Sequence, residues 1–152
     1  MARIETKIVN KLIGKRFPLP TYTTSGAAGL DLRACIETPL SVAAGETRLI
    51  GSGIAINILD PHLMGVLVPH SGLGIHHGIV LANLVGIIDS DFHGEIQMGI
   101  WNRSQHPFKI EPGDRLCQMI FVPIVQVELE AVDSFTQTTQ RGEGGFGHTG
   151  RQ

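Results

Sequence analysis

Apolar residues recur at every second position in three stretches of the chain. Ile54, Ile56 and Ile58 alternate with Ala55 and Asn57, Ile96, Met98 and Ile100 with Gln97 and Gly99, and Val127, Leu129 and Ala131 with Glu128 and Glu130. A period of two predicts half-buried strands. Leu116–Val122 (LCQMIFV) is nearly all apolar and predicts a strand buried on both faces. From Gly29 onward, short apolar runs are broken by Gly, Pro, Asn and Asp, and two prolines in Arg16–Tyr22 (RFPLPTY) favour an extended segment. The one helix candidate is SGLGIHHG, with Ser71 as its cap and Gly72, Gly74 and Gly78 limiting its length. No internal repeat is present. The pattern predicts an all-β fold, a jelly roll or β-sandwich of short strands with one short helix.

Composition agrees with that class. Among 152 residues there are 19 glycines and 8 prolines but only 5% aromatics, which suits many turns and few long helices. A hydrophobic fraction of 42% with 17% charged residues excludes a wholly disordered chain. The net charge of −2 lacks the basic excess of a general nucleic-acid binder. A phosphorylated small molecule needs only a few well-placed cations. No run of 18 apolar residues spans a membrane, and MARIETKIVNK has no secretory apolar region, so a cytoplasmic chain is expected. Cys35 and Cys117 are expected to be reduced core thiols.

Several segments carry candidate chemistry. In GIIDSDFHGE (Gly86–Glu95), Asp89 follows Ile87–Ile88 and stands at the edge of an expected core. A partly desolvated carboxylate beside water is a general base, although Asp89 and Asp91 also suit turn caps. In PHSGLG, Ser71 and Gly72 at the start of a helical turn form either an anion seat or an ordinary cap. Gln118 lies in an apolar strand and needs a polar partner. The segment Ile79–Asp89 reads as a hairpin with Asn83 and Gly86 at its tip, either a plain turn or a reader of a base edge. The last twelve residues, RGEGGFGHTGRQ, contain five glycines. They read as a frayed end or as a tail that wraps an anion through backbone N–H groups, arginine charge and the ring of Phe146. No HExxH, CxxC, GxSxG or P-loop pattern is present, and the adjacent His76 and His77 are poorly placed to share a metal.

Together these blocks resemble the homotrimeric all-β deoxyuridine triphosphatase (dUTPase) family in its bacterial form. The resemblance covers essentially the whole chain and rests on five blocks in the family order: AGLDLRA (Ala28–Ala34), PHSGLG, GIIDSDFHGE, PGDRLCQ (Pro112–Gln118) and RGEGGFGHTG (Arg141–Gly150). It implies a distorted jelly roll assembled as a trimer, with a body over residues 1–136. Residues 137–152 would form an arm closing over an active site built from three subunits. It implies hydrolysis of dUTP to dUMP and pyrophosphate by water attack at the α-phosphorus, with Mg²⁺ on the triphosphate. That activity keeps uracil out of DNA and supplies dUMP for dTTP synthesis. By the same resemblance Asp89 is the base, and Asp31 holds metal-bound water from the outer shell. His70, Ser71, Gly72 and Gln118 meet the phosphates, while Asn83, Gly86, Ile87 and Ile88 read uracil. Phe92 packs on the deoxyribose, Arg141, His148 and Thr149 grip the β/γ end, and Phe146 covers the base.

Three positions depart from the family pattern. His70 stands where the second block usually has arginine, with Arg33, Arg103 or Arg115 as compensating charges. Phe92 stands where tyrosine is frequent, and Gln97 where other side chains occur, so Gln97 is included among the substrate contacts. The rival readings are the related dCTP deaminase and a non-catalytic or weakly active dUTP-binding trimer.

Overall fold

The computed structural model describes residues 3–146. The chain folds through β1 (Glu5–Ile8), β2 (Leu30–Arg33), β3 (Leu40–Val42), β4 (Thr47–Asn57), β5 (Leu63–Pro69), α1 (Ser71–His77), β6 (Ile79–Leu81), β7 (Gly86–Ile88), β8 (Glu95–Asn102), β9 (Phe108–Ile110) and β10 (Arg115–Pro123). All named pairings are antiparallel. One sheet runs β1-β4-β8-β6, a second β2-β10-β5-β7, and β3 with β9 forms a ribbon. This is the all-β sandwich of short strands with one short helix that the patterning predicts.

The core lies between the sheets. Ile96, Met98 and Ile100 of β8 point inward and are fully buried while Gln97 is exposed, as the period of two requires. In β4 the alternation is lost, because Ala55 is buried beside Ile54 and Ile56, and Ile58 lies just past the strand end. The register against β8 also shifts between Gly51 and Ala55. Gly53 occupies this bulge at φ +79, its N–H donating to Glu95 Oε1 (2.9 Å) and its carbonyl accepting from the N–H groups of Val9 and Asn10. The step from Gly51 to Ala55 in β4 faces the step from Gln97 to Glu95 in β8, so two extra residues are accommodated, parity is kept, and Ile50, Ile54, Ile56 and Ile58 all stay in the core.

Three sequence expectations are corrected. Val127–Ala131 forms no strand, and Val127 and Leu129 are 75% and 92% exposed. Beyond Ile124, whose N–H donates to the His62 carbonyl, the segment finds no partner strand among the described residues, so its alternating apolar side chains meet solvent. β10 is buried on both faces only near Leu116, Cys117 and Met119; Ile120, Phe121 and Val122 are half-buried. The segment 79–89 is not a hairpin of paired arms: β6 pairs with β8 in one sheet and β7 with β5 in the other. The chain crosses between sheets there.

Buried Asn102 ties the end of β8 to the neighbouring loops. Its amide donates to the Val42 and His106 carbonyls, and its oxygen accepts from Ser104. The next residue, Arg103, holds α1 from behind, through its N–H to the Gly78 carbonyl and its guanidinium to the Gly74 carbonyl. The helix N-cap is His70 rather than Ser71, which is the first helical residue, and Gly78 ends the helix in the left-handed conformation.

Candidate active site

The predicted site residues fall into three separate groups on the chain. The first is organised by a cross-strand pair. Asp31 of β2 lies opposite Gln118 of β10, and the register places both side chains on one face. Gln118 donates through Nε2 to Asp31 Oδ1 (3.0 Å), and Arg115 Nη1 stands 3.4 Å from Oδ2. Asp31, only 9% exposed, is one of the few buried polar side chains of the body. The polar partner that Gln118 demands is therefore this carboxylate. Cys117 is fully buried beside it, and burial, reinforced by the Asp31 charge, pushes its thiol up to about 12.

Next to this pair is an open cleft of about 620 Å³ whose lining includes Arg33, His70, Gly72, His76, His77 and Arg115. Asp114 is the one carboxylate of that lining, so the cleft favours anions. Of the three arginines that can compensate for His70, Arg33 and Arg115 line this cleft. Arg103 does not; it is spent on α1. His70 Nδ1 is buried and has no hydrogen-bond partner among the described residues. A buried polar atom left unpaired costs about 1–3 kcal/mol, so this nitrogen is suited to a partner that arrives with a ligand or another chain. Ser71 is exposed and Gly72 half-buried, the latter carrying open backbone beside the His70 ring.

The second group is built on β7 and the turn after it. Gly86 pairs with Leu67 and Gly65 with Ile88, and a Cβ on either glycine would meet its partner's side chain at about 3.0–3.1 Å. These two glycines let β7 lie close against β5. β7 is the last strand of its sheet, so its other edge offers unpaired backbone groups. Ile88 is buried, Ile87 is exposed, and Asp89 follows at the strand end. A cleft of about 470 Å³ gathers Ile87, Ile88, Asp89, Phe92, Glu95 and Gln97. Asp89 is exposed in the single chain, so the desolvation expected from Ile87–Ile88 is not supplied by this chain. Asn83 is exposed in the preceding loop, and Leu84 beside it holds a left-handed conformation at φ 64. Such backbone strain in a non-glycine residue is concentrated at functional sites. The sequence reading passed over Glu95, the second carboxylate of the cleft; its only signal was its place in the GIIDSDFHGE block.

The third group is the tail. Arg141 Nε donates to the Gly144 carbonyl in a local turn, and Phe146 is fully exposed. Neither lines the two clefts above. His148 and Thr149 lie outside the described residues. Among the described residues no group of three or more His, Cys, Asp or Glu side chains is placed to hold a metal.

The dUTPase family model matches residues 15–150. The deoxyuridine 5'-triphosphate nucleotidohydrolase of Hamiltonella defensa is 60% identical over the full length of both chains, and that of Escherichia coli is 56% identical over the same extent. Among solved structures, the dUTPase of Staphylococcus bacteriophage 80alpha with dUpNHpp superposes with a TM-score of 0.87 at 23% identity and covers 99% of each chain. Such a distant structure speaks for the fold alone, whereas the full-length relatives and the family match reach every block that builds the two clefts and the tail. The chain belongs to the dUTPase family.

Proposed function

We propose that the protein is a dUTP diphosphatase, converting dUTP and water to dUMP and pyrophosphate by attack at the α-phosphorus. The observation that carries this reading is the placement of Asp89 directly after an edge strand with free backbone groups. A base held against that edge leaves its sugar and first phosphate near the carboxylate. Asp89 takes the proton of the attacking water. Asn83 and the backbone of Gly86, Ile87 and Ile88 pair with the edge of uracil, and Gln97 closes the same cleft. Phe92 packs on the deoxyribose, where a 2′-hydroxyl has no room. A 5-methyl group or a cytosine amino group would clash or leave buried groups unpaired, a mismatch that hydrogen-bonding sites reject by about 10⁴ or more.

The phosphates belong to the cationic cleft of His70, Gly72 and Arg115, with Ser71 beside it at the start of α1 and Gln118 behind it. That cleft and the Asp89 cleft share no lining residue. A homotrimer whose subunits each lend a different piece to one site accounts for the separation. The arm, residues 137–152, supplies Arg141, Phe146, His148 and Thr149 to a site whose body is formed by residues 1–136.

The donor set suits Mg²⁺ held mainly by phosphate oxygens and water, since hard cations of this size keep several waters. Asp31, with both oxygens already engaged, is the residue that would hold it through water; the ion would neutralise charge on the triphosphate. Among the described residues no helix is long and apolar enough to cross a membrane, and we place the enzyme in the cytoplasm.

Pyrophosphate release from dUTP, dTTP, dCTP and UTP tests the reading. Turnover of dUTP alone, falling at least 100-fold in Asp89→Asn, is expected. Ammonia release from dCTP would identify a deaminase, and dUTP binding without turnover a regulatory trimer; either result would refute the proposal.

A further inference from the structure

The turn that carries Asp89 and Phe92 links β7 to β8, and at its β8 end a row of three polar side chains ties it to β4 and β1, the neighbouring strands of the β8 sheet. Glu5 and Asn57 are cross-strand partners on β1 and β4. Asn57 Nδ2 donates to Glu5 Oε2 (2.9 Å), and Asn57 Oδ1 lies 3.1 Å from His93 Nε2. The chemistry of the row is determined from one end. A carboxylate only accepts, so it orients the Asn57 amide with its NH₂ toward Glu5. The amide oxygen must then face His93, and Nε2 must carry the proton. His93 lies four residues after Asp89 and directly after Phe92. Within the turn the only backbone bond besides the strands is Phe92 N–H to the Asp89 carbonyl. On the other side the Phe92 ring folds over Gly94, where a Cβ would stand 2.7 Å from Cζ.

We propose that His93 is a positioning residue: through Asn57 and Glu5 it clamps the Asp89–Gly94 turn to β1 and β4 and sets the aim of Asp89. The inference rests on the dUTPase reading of the Asp89 cleft. Glu5 and His93 are exposed and Asn57 is half-buried, so the row adds little to global stability. Its effect is on geometry, where a displacement of about 1 Å at the reacting groups can cost 100-fold in rate.

The test compares steady-state dUTP hydrolysis by the full chain with His93→Leu, His93→Gln, Asn57→Asp and the double variant Glu5→Gln/Asn57→Asp. His93→Leu is expected to lower kcat about 10- to 100-fold. KM should stay within about twofold, and Tm should move by less than about 3 °C. His93→Gln, which keeps an N–H donor, is expected to recover most of kcat. Asn57→Asp sets two carboxylates side by side and should lose activity, while adding Glu5→Gln restores a donor and with it the rate. Long-range ¹H–¹⁵N spectra should show His93 as the Nε2–H tautomer. A His93→Leu enzyme with kcat within twofold of wild type overturns the clamp, as does a glutamine variant no better than leucine, or a rate loss that follows a loss of Tm. If those variants behave as wild type and Asp89→Asn is dead, the clamp fails while the function stands. A wild-type chain that releases no pyrophosphate overturns both.

Discussion

Gly53 offers a test of how tightly the body behind the site is packed. It sits in the β4 bulge at φ +79, and a Cβ there would lie 2.5 Å from Cys35 Sγ, 2.8 Å from Ile13 Cγ1 and 3.2 Å from Cys35 Cβ. Gly53→Ala therefore carries two separable costs. The left-handed backbone costs alanine about 1–2 kcal/mol. Forcing a methyl into a filled core adds about 1–3 kcal/mol. Restricting the unfolded chain returns about 0.4–1 kcal/mol. The net loss is about 1–4.5 kcal/mol, or a fall in Tm of roughly 2–18 °C for a chain of this size. Gly45 is the internal control, because its φ is +75 and nothing lies within 4 Å of its Cβ position. Gly45→Ala carries the backbone cost alone, about 1 kcal/mol or less after the unfolded-state gain. Urea unfolding at one protomer concentration measures both variants. Adding Cys35→Ala to Gly53→Ala removes the 2.5 Å contact with sulfur, so the double variant should lose less than the sum of the singles. If Gly53→Ala proves no more destabilising than Gly45→Ala, the packing argument is wrong.

Three further predictions concern charge, pH and the arm. His70→Arg, which places a permanent charge in the cleft of Arg33 and Arg115, should raise kcat/KM for dUTP severalfold; an unchanged value would show that those arginines suffice. The buried Cys117 thiol ionises near 12 in the folded chain and at the ordinary 9.0 when unfolded, so it contributes stability in full below about pH 9 that is lost as pH rises toward 12. The folding constant should fall tenfold per pH unit in that window. Urea midpoints from pH 8 to 11 should decline less steeply in Cys117→Ala than in wild type, and parallel slopes would refute the assignment. Removing residues 141–152 should lower kcat/KM at least 100-fold while leaving Tm unchanged, because Arg141 and Phe146 touch neither cleft of their own body.

The strand at Ile96–Ile100 was legible because its alternation reports burial on one face of a strand, a local property. The segment at Ile79–Asp89 was misread as a hairpin for the opposite reason. Its arms find partners far away in sequence, β6 on β8 and β7 on β5, and nothing local distinguishes a turn within one sheet from a crossing between two. The apolar alternation of Val127–Ala131 is real, but a strand needs an edge to join, and the described residues provide none. Gln118 was marked by residue type and Asp31 by the family resemblance, yet their hydrogen bond spans 87 positions. The His93–Asn57–Glu5 row spans 36 and 52 positions and left no trace in any short motif.

By itself the sequence determined the family and the blocks in which the candidate carboxylate, amides and glycines lie. Those are properties of side chains and of short blocks, and five blocks in order specify them. Tertiary structure alone decided which residues meet. It joined Asp31 to Gln118 and Arg115, left His70 Nδ1 without a partner among the described residues, placed Asp89 after the edge strand β7, and set the cleft of Arg33 and Arg115 apart from that of Asp89. Pairing of strands distant along the chain is governed by the packing of two sheets around one core, and no local pattern encodes it.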